Sequence, residues 1–147
     1  GVQLLAGRAE ALPCADGSAD FISMGYALRH LSDLSAAFAE FHRVLRPGGR
    51  LLVLEITRPK GKLATLALKT YMRAVVPTIA LVVARQNKTS ELWRYYWDTI
   101  EACVPPETVL EALRAAGFKR VRRYTELGIF SEYTAFKPRG PEGAAAA

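Results

Sequence analysis

An arginine and a histidine stand side by side at positions 29 and 30, shortly after the apolar segment 20–25. A guanidinium group keeps its positive charge at any ordinary pH and stabilises a negative charge that develops beside it. An imidazole accepts or donates a proton near neutral pH. Two structural alternatives stay open, in which Arg29 forms a salt bridge at a helix start and His30 is a satisfied histidine at the surface or at a helix N-terminus.

The elements that must position this pair follow from the apolar pattern. Helical spacing predicts helices at 32–45 and 106–116. Apolar runs and alternation predict strands at 2–6, 20–25, 51–54, 120–125 and 129–136. This order favours an α/β domain with a parallel sheet, a C-terminal antiparallel hairpin, and helices on the faces. Sites in such sheets lie at the carboxyl ends of the parallel strands.

The stretch Arg46–Arg50 separates a predicted helix from a predicted strand. Ser32 is the expected N-cap of that helix, with a negative charge favoured in its first turn. Pro47 cannot continue the helix, and the two glycines that follow permit a tight left-handed turn. The apolar run 51–54 is then expected to be a strand buried on both faces, as in a parallel sheet covered by helices.

Residues 63–84 are rich in Leu, Ala and Val, and this segment is long enough for a membrane span. Lys69, Arg73 and Pro77 fall inside the segment and favour two amphipathic helices joined near the proline. A further helix is predicted at 90–103, with Leu92, Tyr96, Ile100 and Cys103 on one face.

Composition and residue spacing limit which classes of protein the chain can belong to. With 147 residues, 50% of them hydrophobic and 23% charged, the chain can bury one core, and we expect one soluble domain. Cys14 and Cys103 lack metal-ligand spacing, which favours free thiols in a reducing, cytoplasmic compartment. The acidic residues also lack the spacing of a metal cluster, and no metal is expected: Glu10, Asp16, Asp20 and Glu55. Residues 139–147 are expected to be a disordered tail.

The net charge of +6 and the pI of about 9.6 leave three interpretations open. They are a solvated basic face, a nucleic-acid partner and an anionic membrane surface. We expect no secretory signal, because the N-terminal residues include no basic region and no long apolar run. No nucleic-acid-binding motif is present in the sequence, so we expect no nucleic-acid partner.

Four segments together resemble class I S-adenosylmethionine-dependent methyltransferases, over residues 1 to about 138. They are Gly7–Pro13 (GRAEALP), Gly25–His30 (GYALRH), Arg43–Glu55 (RVLRPGGRLLVLE) and Leu110–Val121 (LEALRAAGFKRV). The second is similar to a segment of the ubiquinone/menaquinone biosynthesis C-methyltransferases. The resemblance implies an incomplete Rossmann-like sheet and S-adenosylmethionine as cofactor.

The resemblance also implies which residues hold the cofactor. Arg8 and Ala9 would lie against its adenine, and Gly25 and Tyr26 beside its methionine portion. The amide of Ala9 needs no particular side chain to donate to the ring. Arg8 stands where the family usually has Asp or Asn. Because a guanidinium only donates hydrogen bonds, adenine recognition is either weakened or moved to another group.

For catalysis, the resemblance implies a role for Arg29 and His30. C-methylation of a phenol requires the ring carbon to become nucleophilic, which means removing or delocalising the phenolic proton. Arg29 would stabilise the developing phenolate and His30, which replaces the usual Asn, would act as a base. The predicted helical insert 58–104 would supply an apolar substrate lid that includes Tyr71, Trp93 and Trp97, whereas Tyr96 is expected to be core.

The family's glycine-rich loop and first two strands are missing from this sequence. We therefore expect an open sheet edge that is covered by a second copy or by a missing N-terminal half, and weak or absent cofactor binding by the chain by itself. The expected acceptor is a small, quinone-like molecule, and a peripheral membrane contact stays open. The alternatives are a degenerate methyltransferase-like binding module and a methyltransferase for another small molecule.

Overall fold

The computed structural model describes residues 2–59, 61–76, 78–79, 95 and 97–140. They divide into two compact units. Unit 1 comprises residues 1–55, 104–124 and 131–147, and unit 2 comprises residues 56–103 and 125–130. The predicted junction at Pro77, residues 90–94 and 96 of the helix predicted at 90–103, and residues 141–147 of the predicted tail lie outside the described residues.

The described part contains one sheet of four strands in the order β1-β2-β4-β3. Their bounds are Ala19–Gly25 (β1), Leu45–Ile56 (β2), Lys119–Glu126 (β3) and Phe130–Phe136 (β4). β1 and β2 are parallel. β3 and β4 are neighbours joined by three residues, a connection that only an antiparallel pair allows. The predicted α/β class with a C-terminal hairpin is confirmed.

Three α-helices lie at Leu34–Val44 (α1), Lys62–Thr70 (α2) and Pro106–Ala115 (α3), and residues 97–101 are also helical. A 3-10 helix spans Leu28–His30, and a π-helical turn, Tyr71–Val75, continues α2. α3 begins at its predicted proline, and Gly117, with φ of +95°, follows its C-cap Ala116 as the predicted left-handed glycine.

The core of unit 1 lies between α1, α3 and the sheet. Its largest buried side chains come from all three: Phe38, Phe41, Leu51, Val53, Leu113, Phe118 and Tyr133. On β2, Leu51 and Val53 are buried, whereas Leu52 and Leu54 are half-buried. The prediction of a strand buried on both faces is therefore wrong, because this core covers one face of the strand.

Three further predictions need correction. Residues 2–6 form no strand, and Val2 and Leu4 are exposed because no described strand pairs with them. The N-cap of α1 is Asp33, whose Oδ1 accepts from the Ala36 amide at 2.9 Å, since the Ser32 hydroxyl bonds elsewhere. The glycine turn lies within β2 rather than before it. Register runs from Ala19↔Leu45 to Phe21↔Arg50, so residues 46–49 bulge out of the ladder.

Candidate active site

The candidate site lies in unit 1, where the parallel strands β1 and β2 end together. Gly25 pairs with Leu54, and the amide of Tyr26 donates to the Leu54 carbonyl oxygen at 2.7 Å. Glu55 is the next residue on β2, so Tyr26 and Glu55 leave the same edge of the sheet. The predicted placement of Gly25 and Tyr26 at a strand end is what the structure shows.

Arg29 and Glu55 form a buried ion pair at this edge. Nη1 of Arg29 donates to Oε1 of Glu55 at 2.7 Å, and the Arg29 amide donates to Oε2 at 3.3 Å. The Arg29 side chain is 5% exposed and that of Glu55 is 0% exposed. The salt-bridge alternative for Arg29 is thus present, but its partner is the end of a strand and not a residue of a helix start.

Sequence reasoning missed Glu55 as a site residue, since it considered this carboxylate only as a metal ligand. The available signal was its position as the one acidic residue that ends the apolar run 51–54. A carboxylate buried beside such a strand requires a cationic or hydrogen-bonding partner. Arg29 follows the neighbouring strand β1 in the sequence, so it was a candidate for the cationic partner of Glu55.

Tyr26 adopts a left-handed backbone, with φ of +56°, at the end of β1. A non-glycine residue in this region carries about 1–2 kcal/mol of strain. Such strain persists where surrounding structure enforces it, and it concentrates at functional sites. Beside it, a Cβ built on Gly25 would meet nothing within 4 Å, so there is open space above the end of the strand. Tyr26 itself is half-exposed.

His30 closes the 3-10 helix, where its amide donates to the Ala27 carbonyl oxygen at 2.9 Å. The residue is exposed, so a molecule in solution can reach its imidazole. Its neighbour Arg29 is buried, and the structure therefore separates the two predicted catalytic residues into one buried and one accessible group.

A second cluster joins the loop after Gly7 to the start of α1. Nη2 of Arg8 donates to the Ser32 hydroxyl at 3.1 Å, and that hydroxyl donates to Oε1 of Glu10 at 2.7 Å. The hydrogen bond from Ser32 lowers the pKa of Glu10 to about 2, with a smaller contribution from Arg8. The adjacent Ala9 is half-buried against the core of unit 1.

The same loop is fastened to α1 by Glu40 and Arg43. Oε1 of Glu40 accepts from the Leu12 amide at 2.7 Å and from Nη2 of Arg43 at 2.7 Å. Arg43 also pairs with Asp16. The hydrogen bond from Arg43 lowers the pKa of Glu40 to about 2. The loop that carries Arg8 and Ala9 is therefore held on the unit rather than free.

Comparison with known proteins decides which family this arrangement belongs to. The profile of the ubiE/COQ5 methyltransferase family matches residues 1–137. The chain belongs to the ubiE/COQ5 methyltransferase family. It is 34% identical to the ubiquinone/menaquinone biosynthesis C-methyltransferase UbiE of Hahella chejuensis over 137 residues, 92% of this chain and 54% of that protein. The UbiE of Saccharophagus degradans is 34% identical over 131 residues, 88% of this chain and 51% of that protein.

Solved structures show the same fold. A SAM-dependent methyltransferase from Aquifex aeolicus is matched over 92% of this chain and 54% of that chain, with a TM-score of 0.58 and 19% identity. A Haemonchus contortus phosphoethanolamine N-methyltransferase solved with S-adenosyl-L-methionine is matched over 89% of this chain and 36% of that chain, with a TM-score of 0.57 and 13% identity. The resemblance predicted from sequence is confirmed, and so is S-adenosylmethionine as the family's cofactor.

The chain spans about half the length of the UbiE relatives. Its residues fit the family cofactor unevenly. The open space at Gly25 and the amide of Ala9 are compatible with a bound nucleoside and amino-acid moiety. The guanidinium of Arg8 offers donors and no acceptor, and it is engaged by Ser32 and Glu10.

The predicted lid residues belong to unit 2. Trp97 is fully buried with Met72 and Ile100, and its Nε1 donates to Oε2 of Glu101 at 3.0 Å. Tyr71 is 54% exposed. Trp93, like Tyr96, lies outside the described residues. In the part of the chain that the structure describes, no group of three His, Cys, Asp or Glu side chains could hold a metal ion.

Proposed function

We propose that this chain supplies the acceptor-facing half of an S-adenosylmethionine-dependent C-methyltransferase that acts on a prenylated phenol or quinol ring. The observation that carries the proposal is the buried Arg29–Glu55 pair at the carboxyl ends of β1 and β2, next to Gly25 and Tyr26. Membership of the ubiE/COQ5 family supports methyl transfer, and the names of the UbiE relatives support the quinone pathway as the source of the acceptor.

The cofactor, when bound, supplies a methyl group on a sulfonium centre. Arg29 would provide a positive charge that favours ionisation of the acceptor hydroxyl. Glu55 would hold Arg29 in one orientation, because it accepts one hydrogen bond from the guanidinium and one from the Arg29 backbone amide. His30 is accessible and would accept the phenolic proton, after which the charge delocalised to the ring carbon makes that carbon nucleophilic. Once methylated, the ring carbon would lose its own hydrogen as a proton, which restores the aromatic ring.

A second candidate function is a methyltransferase-like binding module without catalysis. The engagement of Arg8 by Ser32 and Glu10 favours it, because the position expected to accept from adenine holds a hydrogen-bond donor. This candidate predicts binding of a prenylated ring without measurable affinity for S-adenosylhomocysteine.

Calorimetry with S-adenosylhomocysteine, followed by transfer of a labelled methyl group to a prenylated naphthoquinol, separates the candidates. The enzyme candidate predicts cofactor binding, methyl transfer, and a fall in kcat of at least about a hundredfold in His30→Gln, the range that one general base contributes. Arg122→Gln is the matched control, since Arg122 is exposed on β3. Absence of S-adenosylhomocysteine binding at millimolar concentration, with binding of the prenylated ring, would favour the module instead.

A further inference from the structure

The segment between Glu55 and Glu91 is unusually one-sided in charge. Its 35 residues include no Asp or Glu and seven cationic side chains: Arg58, Lys60, Lys62, Lys69, Arg73, Arg85 and Lys88. The same segment supplies α2 and the following π-helical turn. A basic segment with a high apolar content is the composition of a helix that lies at an anionic interface.

α2 has two different faces. Leu68, with Met72 of the following turn, packs toward the small core around Trp97 in unit 2. Leu63 and Leu66 lie one turn apart on the other side and are 84% and 59% exposed. Large apolar side chains grouped on a solvent-exposed helical face mark a candidate interaction surface.

Cations border this exposed face. A shallow cleft of about 520 Å³ beside the start of α2 is lined by Arg58, Lys62, Lys69, Leu66 and Glu101, among others. Lys69 lies 3.5 Å from Glu101, and Arg73 lies 3.8 Å from Asp98, so these two cations have acidic neighbours. We therefore assign the attraction of an anionic partner to Arg58 and Lys62, which are both exposed.

We propose that the α2 surface, formed by Arg58, Lys62, Leu63 and Leu66, docks on an anionic lipid bilayer. The leucines would enter the acyl boundary while the cations contact phosphate headgroups. A second copy fits this surface less well, because pairing it with itself would bring like charges together. None of the described helices is long and apolar enough to cross a membrane, so the proposed contact is with the surface of the bilayer.

This proposal deepens the proposed function, on which it rests for its purpose, since a prenylated acceptor resides in a bilayer. Its test requires no methyl transfer. We would measure sedimentation of the full chain with vesicles of phosphatidylglycerol and phosphatidylcholine, and with vesicles of phosphatidylcholine alone. We expect binding to the anionic vesicles that weakens as salt is raised, and little binding to the neutral ones.

The double variant Leu63→Asp with Leu66→Asp should lower the partition coefficient of the chain onto anionic vesicles by at least roughly a hundredfold, which is about tenfold for each leucine. Arg58→Gln with Lys62→Gln should lower it by about twenty-five-fold, since each surface cation contributes about fivefold. The matched control for the leucines is Leu127→Asp, because Leu127 is 86% exposed and lies on the β3–β4 turn. Arg120→Gln with Arg122→Gln, two exposed residues of β3, controls for loss of charge.

Circular dichroism would establish that each variant remains folded. If the α2 variants and their controls lost vesicle binding equally, the proposal would be overturned, because binding to anionic vesicles would then depend on the net charge of the chain. Failure of the parent chain to bind anionic vesicles would also overturn it. Self-association in sedimentation velocity that Leu63→Asp with Leu66→Asp abolishes, without vesicle binding, would assign the surface to a second copy.

Discussion

Nη1 of Arg29 lies 2.7 Å from Oε1 of Glu55, and together these buried side chains join the 3-10 helix to a strand residue 26 positions later in the sequence. The Arg29 amide also donates to Glu55. One carboxylate thereby fixes both the backbone and the side chain of Arg29. The orientation of the predicted catalytic cation depends on a residue that the sequence motif containing Arg29 does not include.

Replacing Glu55 should destabilise the chain strongly. In Glu55→Ala the buried guanidinium loses its carboxylate, and removal of one partner from a buried pair costs about 3–5 kcal/mol. Urea denaturation followed by circular dichroism would measure the change in the free energy of unfolding. A change below 1 kcal/mol would show that the pair is solvated in solution.

The double variant Arg29→Met with Glu55→Leu provides the comparison, because it removes both charges and keeps apolar volume. We expect it to recover most of the stability lost in Glu55→Ala, as replacement of a whole buried pair is often neutral. It should nevertheless lack methyl transfer if Arg29 acts in the reaction. A double variant as unstable as Glu55→Ala would mean that an unpaired buried guanidinium does not account for the stability lost in Glu55→Ala.

Strain at Tyr26 leads to a separate prediction. Because φ of Tyr26 is +56°, a Cβ is disfavoured there, whereas glycine adopts this conformation freely. Tyr26→Gly should therefore be more stable than Tyr26→Ala by about 1 kcal/mol, although both lose the same ring. Thermal denaturation of the two variants measures the difference. If Tyr26→Ala were equally stable, the backbone would not be held in the left-handed region in solution.

The sequence predicted the sheet class well where one local rule sufficed. Gly117 and Pro106 mark the ends of α3 because cap and first-turn positions impose backbone requirements that few residues meet. The end of β1 near Gly25 was predictable for a similar reason, since an apolar run stops there. These signals require no knowledge of which elements become neighbours.

Long-range pairing was the part that the sequence did not reveal. Residues 2–6 alternate like a strand, but a strand forms only when a partner offers its backbone groups. Glu55 was not recognised because its partner lies on another element, and Ser32 was taken as a cap because its bond to Glu10 depends on the folded loop. The errors at Glu55 and Ser32 concern contacts between residues more than 20 positions apart. The error at residues 2–6 concerns a segment that pairs with no strand among the described residues.

The free energy of unfolding should fall in mild acid, because Glu40 and Glu10 become protonated. Both carboxyl groups have a pKa lowered from 4.5 to about 2 in the folded state. The unfolded chain therefore binds more protons in this window, and the stabilisation present above pH 4.5 is lost as pH falls toward 2. The difference in melting temperature between the parent and Glu40→Gln should be largest at pH 7 and should narrow toward pH 2.

Arg43→Gln tests the cause of that behaviour, since it removes the hydrogen bonds that lower the pKa of Glu40. The difference in melting temperature between the parent and Arg43→Gln should therefore narrow from pH 7 toward pH 2. A difference between the parent and Glu40→Gln that stays constant from pH 7 to pH 2 would contradict the assigned ionisation.

The turn between β3 and β4 gives the last prediction. Leu127 and Gly128 have φ of +51° and +71°, and the Ile129 amide donates to the Glu126 carbonyl oxygen at 3.1 Å. Positive φ at both central positions is the type I′ hairpin turn, which favours Asn-Gly. Leu127→Asn should raise the free energy of unfolding by about 1 kcal/mol, because asparagine tolerates this conformation better than leucine does. Gly128→Ala should lower it by about 1 kcal/mol or more. Chemical denaturation of both variants measures these opposite shifts, and shifts of the same sign would exclude the I′ geometry as their cause.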